Sequence, residues 1–113
     1  MSAHITQQQL RAFLAVARCR SFTQAAKMLA YSQSAISLHV KTLESALGTH
    51  LFERCGQQIE LTPSGHRLQG PAAAALERLE SLTSELMAAM EDDMTALTDS
   101  RSAQVISVQV GSE

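Results

Sequence analysis

The chain has 113 residues and a mass of 12.2 kDa, the size of one domain or of a domain with an arm. Hydrophobic residues make up 45% and aromatic residues 4%, which argues against wholesale disorder, a β-sandwich or an aromatic-stacking nucleic-acid platform. The formal charge of −2 hides a split: residues 1–70 hold seven Lys and Arg against three Asp and Glu, residues 71–113 two against eight.

Thr6-Gln-Gln-Gln9 reads as a capping box, a hydroxyl at the N-cap with Gln three residues on. Leu10, Phe13, Leu14 and Ala17 then follow helical spacing, predicting a first helix over about 7–18. Ser21-Phe-Thr-Gln24 is a second candidate box, and Phe22, Ala25, Ala26 and Leu29 predict a short helix over 22–29. Ala30-Tyr31 makes a tight turn. Ser32 caps a third helix over 33–47, which Gly48 ends as a left-handed residue. Ile36, Val40, Leu43 and Leu47 form its inward stripe. Ser34, Leu38, Lys41 and Ser45 point the other way. That outward face is small and nearly free of acid, which suits entry into a groove.

After Gly48 the period changes. Leu51–Arg54 and Gln58–Leu61 are short extended segments around Cys55-Gly56-Gln57, a small hairpin or wing. Thr62-Pro63 starts a long helix to about 96, with a kink or frayed turn expected at Gly70-Pro71. Leu76, Thr83, Met90 and Leu97 fall at heptad a, and Ala72, Leu79 and Leu86 at d, until Asp93 breaks the series. Leu82, Met87 and Met94 widen the stripe, so pairing with a second copy is expected. Asp99–Gln104 reads as a linker, and Val105–Gly111 alternates like a strand without a hairpin partner.

Other chemistry is not expected. Cys19 and Cys55 make no framework, the histidines at 4, 39, 50 and 66 show no ligand spacing, and neither metal nor cofactor is indicated. No run of about 18 apolar residues marks a membrane span. The N-terminal residues lack the pattern of a secretory signal, which points to the cytoplasm. No nucleophile–base grouping, phosphate loop or paired carboxylates suggests an enzyme.

The order helix, helix–turn–helix, wing, long helix resembles the N-terminal DNA-binding region of LysR-type transcriptional regulators. The resemblance rests on Leu10-x-x-Phe13, Ser21-Phe-Thr-x-Ala25-Ala26-x-x-Leu29, Ser32-Gln-Ser-Ala-Ile-Ser37, Leu43-Glu44, Leu47-Gly48, Leu51-Phe52-x-Arg54 and Leu61-Thr62-x-x-Gly65. It covers roughly residues 7–95. The final Val-x-Val-Gly resembles the opening strand of the family's effector-binding domain. The resemblance implies a mainly α fold: a winged helix-turn-helix over 1–62, a linker or dimerisation helix over 63–97, and a hinge and first strand over 98–113. It implies binding of double-stranded operator DNA as a homodimer, with higher oligomers open to the full-length protein. It also implies a small-molecule inducer bound through a C-terminal domain beyond this chain. Another winged-helix regulator, such as the molybdate-responsive type, or a helical dimerisation module without a DNA role are the alternatives.

Carried onto this sequence, Gln33, Ser34 and Ser37 are the expected base or phosphate contacts, with Lys41 on phosphate and His39 at the flank. Arg54 is the wing contact. Arg20 and Thr23 are expected to meet phosphate at the second helix's N-terminus. Family members often carry Arg after the serine at position 37; Leu38 stands there instead and is expected to meet a thymine methyl. Leu76, Leu79, Thr83, Leu86 and Met90 are the expected dimer contacts.

Overall fold

The computed structural model describes residues 4–100, and side chains through Asp92. The expected strand at Val105–Gly111 and the heptad residues Asp93, Met94 and Leu97 therefore fall outside what is described, wholly or in their side chains. The elements are α1 (Gln7–Cys19), α2 (Phe22–Leu29), α3 (Gln33–Leu47), β1 (Phe52–Cys55), β2 (Gln58–Leu61) and α4 (Pro63–Ser100). The fold is mainly helical with one antiparallel hairpin, as expected.

The caps explain the boundaries. Thr6 Oγ1 accepts from Gln9 N–H at 3.1 Å, and Gln9 Oε1 accepts from Thr6 N–H at 3.0 Å, a complete capping box. Ser21 accepts from Gln24 N–H at 3.1 Å, but the return bond is missing and Gln24 is exposed. The second box is thus a simple cap. Ser32 accepts from Ala35 N–H at 3.1 Å and starts α3. Gly48 (φ 71) ends it, with the Gly48 and Thr49 amides both on the Glu44 carbonyl. The ends of α1 and α2 lack glycine: Arg20 (φ 55) and Ala30 (φ 59) take the left-handed conformation themselves.

Two apolar clusters hold the helices and the wing together. Ala12, Ala15 and Val16 of α1 meet Ala25 and Ala26 of α2, Ile36 and Val40 of α3, and Ile59 of β2. The alanines let the helices approach closely. Leu10, Phe13, Leu43, Leu51 and Ala72 form the second cluster, against which Leu68 and Leu76 of α4 also pack. Phe52 joins the two, its ring 5.4 Å from Phe13 and 6.1 Å from Phe22. Leu47, expected on the inward stripe, is 36% exposed, because it is the last residue of α3 and the chain turns away at Gly48.

β1 and β2 pair in the register Phe52↔Leu61, Glu53↔Glu60, Arg54↔Ile59 and Cys55↔Gln58 around a two-residue turn in which Gly56 has φ 66. Thr62 Oγ1 accepts from Gly65 N–H at 3.1 Å and opens α4 with Pro63 at its first position. Helical structure then continues through Gly70 and Pro71, so of the expected kink or frayed turn the fraying does not occur. Pro71 is exposed and removes one N–H, while the neighbouring Ala72 is anchored in the core at 2% exposure. The helix reaches Ser100, beyond the expected end near 96, so Asp99 and Ser100 are helical and not linker.

The chain divides into two compact units, Met1–Glu77 and Arg78–Glu113. In the second, Leu79, Leu82, Leu86, Met87 and Met90 are 42–61% exposed. Thr83 Oγ1 donates back to the Leu79 carbonyl at 3.0 Å.

Candidate nucleic-acid interface

An open cleft of about 870 Å³ lies between the wing and the flank of α3 that carries Gln33, Ser37, Lys41 and Glu44. Arg20, Thr23, Gln33, Ser37, Lys41 and Arg54 line it, six of the nine residues expected to contact DNA. Ser34, Leu38 and His39 do not line it; they sit elsewhere on α3. Ser34, Ser37, Leu38 and Lys41 are all exposed, and Leu38 is 59% so despite being apolar. His39 is half-buried, its ring 5.8 Å from that of Tyr31 in the turn before α3.

The side chains at the start of α2 and α3 are already engaged. Thr23 Oγ1 lies 3.1 Å from the Gln33 side-chain amide, tying the first turn of α2 to the first residue of α3. The Ser32 and Ser34 hydroxyls are 3.4 Å apart. Arg20 does not stand free at the α2 N-terminus: its Nη1 donates to Glu60 Oε1 at 2.7 Å. By contrast, the side chains of Lys41 and Arg54 make neither hydrogen bond nor ion pair among the described residues, so both cations are available to an anion.

Glu44 and Glu53 also line the cleft, which a polyanion would be expected to avoid. Glu44 is largely spoken for. Its Oε2 accepts from Leu51 N–H at 2.8 Å and Phe52 N–H at 3.4 Å, and its Oε1 lies 3.7 Å from His50 Nδ1. Thus Glu44 caps the start of the wing and fastens it to α3. A second fastening runs from α1. Gln9, 9% exposed, donates from Nε2 to Thr42 Oγ1 at 3.0 Å, and Thr42 shares its own proton between the Leu38 and His39 carbonyls, each at 3.0 Å. The middle of α3 is thereby held against the N-terminus of α1.

In the sequence Glu44 stands in a motif and Gln9 in a capping box, and neither of these roles shows there. Nor does Glu60 stand out there as a site residue. The Leu43-Glu44 pair carried a signal only as part of a spacing pattern. The partners of Glu44 and Gln9 become visible only when the wing and α3 are in place.

Residues 7–66 match the family described as bacterial regulatory helix-turn-helix protein, lysR family. The chain belongs to the LysR family. A RuBisCO operon transcriptional regulator of Allochromatium vinosum is 48% identical over 65 residues, covering 58% of this chain and 22% of that protein. DarR of Vibrio fischeri, solved in complex with DNA, aligns with a TM-score of 0.74 at 30% identity, over 78% of this chain and 30% of that one. The BenM DNA-binding domain in complex with benA site 1 DNA aligns with a TM-score of 0.71 at 31% identity, over 76% of this chain and 97% of that one. This LysR-family chain spans less than a third of the length of the curated relatives it matches. No helix among the described residues is long and apolar enough to cross a membrane.

Proposed function

We propose that this chain is the DNA-binding part of a transcription regulator that recognises operator DNA as a homodimer, with α3 in the major groove and the wing on the adjacent backbone. One observation carries the reading: α3 presents Ser34, Ser37, Leu38 and Lys41 outward without a carboxylate among them, beside a wing that carries an unpaired Arg54. Short polar side chains let the helix backbone approach base edges, and Lys41 and Arg54 supply the charge that holds phosphate. Gln33 and Thr23 lie where the N-termini of two helices turn toward the cleft, and His39 flanks the contact surface.

The exposed stripe Leu79, Leu86 and Met90, with Thr83 between, is the proposed seam between two copies, and Leu76, which also packs on the core of its own chain, is a further proposed contact. Burying each large apolar side chain contributes about 1.5–3 kcal/mol. An inducer, by the family resemblance, would bind a C-terminal domain outside this chain. The reading is of a regulator and not an enzyme, and it would act in the cytoplasm, where bacterial DNA is.

Selection of duplexes from a random pool by the 113-residue chain tests the proposal. The expected outcome is a set of sequences with two related half-sites, bound more weakly as salt rises. A helical dimerisation module without a DNA role would retard no duplex at low salt, and that result would sink the reading.

A further inference from the structure

Arg20 occupies a rigid corner. Its backbone is left-handed, and its N–H donates to the Val16 carbonyl at 2.7 Å, closing α1 one residue before the cap of α2. From that corner the guanidinium reaches β2, where Nη1 meets Glu60 Oε1 at 2.7 Å. The two side chains are 53% and 34% exposed, so the pair is partly shielded on the carboxylate side. The ladder also sets Glu53 directly opposite Glu60. Like charges opposite each other destabilise a strand pair, and Arg20 offsets one of them.

We infer that Arg20 is a positioning residue of the interface: it clasps Glu60 and so sets the wing, with Arg54, against the corner between α1 and α2, and it is not itself a phosphate ligand. The inference rests on the DNA-binding reading above. Its physical basis is a comparison of two states. With the clasp closed, a charge-assisted bond of 2.7 Å is in place before any ligand arrives. If Arg20 moved to a phosphate, Glu60 would be left unpaired opposite Glu53 and close to a polyanion. The second state exchanges one charge-assisted bond for another and adds a repulsion, so the clasp persists in the complex. Its benefit is order. The wing beyond Ile59 is exposed at Cys55, Gly56, Gln57 and Gln58, and the clasp restrains the arm that carries Arg54.

An exposed pair of this kind adds little to global stability. Arg20→Gln and Glu60→Gln should therefore unfold together with the wild type, and the effect should be local. Hydrogen exchange of the ladder amides of β1 and β2 in the free chain should accelerate about two- to fivefold in either variant. The charge swap Arg20→Glu with Glu60→Arg should return it to the wild-type rate. On a random duplex, Arg20→Gln should keep the wild-type slope of log K against log salt, while its preference for a selected duplex falls. A slope shallower by about 0.9 per copy in Arg20→Gln, with tighter binding by Glu60→Gln, would place Arg20 on phosphate and overturn the inference. Unchanged wing exchange in both single variants would overturn it as well. If the wild-type chain binds no duplex, the DNA-binding reading fails, and the exchange measurements still decide whether the clasp exists.

Discussion

Leu38 is 59% exposed on the outward side of α3, in a position where water gains nothing from it. An apolar side chain cannot hydrogen-bond a base edge, but it can pack against a thymine methyl, the apolar group that the major groove offers. Replacing that thymine by uracil in a selected half-site should cost roughly 1 kcal/mol. Leu38→Ala should remove the thymine-over-uracil difference; a wild-type ratio in the variant would return base reading to Gln33, Ser34 and Ser37. Gly65 is the opposite case, a residue needed for what it lacks. A Cβ there would overlap the Leu51 carbonyl oxygen and come within 2.7 Å of Leu61 Cδ2. That carbonyl already accepts from Thr62 N–H at 3.0 Å, so it cannot move without breaking the junction of wing and α4. Gly65→Ala should lower stability by about 1–3 kcal/mol, read as a lower midpoint in urea.

At the scale of elements, the ends of α1 and α2 and the outer stretch of α4 behave differently from their patterns. Ala30 ends α2 at φ 59 with a Cβ that crowds the following carbonyl, a conformation costing roughly 1–2 kcal/mol. Glycine would relieve that crowding but loses more freedom on folding. Ala30→Gly should therefore stabilise the chain by about 0.5–1 kcal/mol, and a lower urea midpoint would contradict this. α4 carries two tasks along one helix. Ala72, Leu68 and Leu76 pack on the core of their own chain, whereas Leu79, Leu86 and Met90 are 42–61% exposed among the described residues. A stripe that changes from covered to uncovered along one helix needs a second surface for its outer part. Leu79→Asp with Leu86→Asp should yield monomers by sedimentation at micromolar concentration while the core stays folded. A wild type that sediments as a monomer there would remove the dimer from the proposal.

For the whole molecule, the net charge is a poor guide and its distribution a better one. The acidic residues concentrate after position 70, and the head carries seven cations in residues 1–70. Arg20 is committed to Glu60, and among the described residues Lys41 and Arg54 line the cleft without a side-chain partner. Few cations mean few released counterions. A dimer using Lys41 and Arg54 twice should show a slope of log K against log salt of roughly −4, shallow for a DNA binder. Arg54→Ala should reduce its magnitude by about 1.8 across the two copies and weaken all duplexes alike. An unchanged slope would take Arg54 off the phosphates.

The sequence by itself determined the kind and order of the elements, because the information for them is local. Capping hydroxyls at Thr6, Ser21, Ser32 and Thr62, the glycine at 48 and the switch of period after it act within a few residues, and each marks a boundary observed within one or two residues. The absence of a frayed turn at Pro71 was less legible, since it goes with the packing of Leu68, Ala72 and Leu76 on the core to either side of it. The outward side of α3 could also be read from periodicity alone. Only the tertiary structure decided how that side is held and what flanks it. Arg20 and Glu60 are 40 residues apart, Gln9 and Thr42 33 apart, and Glu44 reaches the amides of Leu51 and Phe52 at the start of the wing, which periodicity does not connect to it. Such partners are chosen by the packing of α1, α3 and the wing around Phe13 and Phe52. A polar side chain in sequence carries no mark of which distant donor or acceptor will face it, because that depends on where the apolar residues bring the chain.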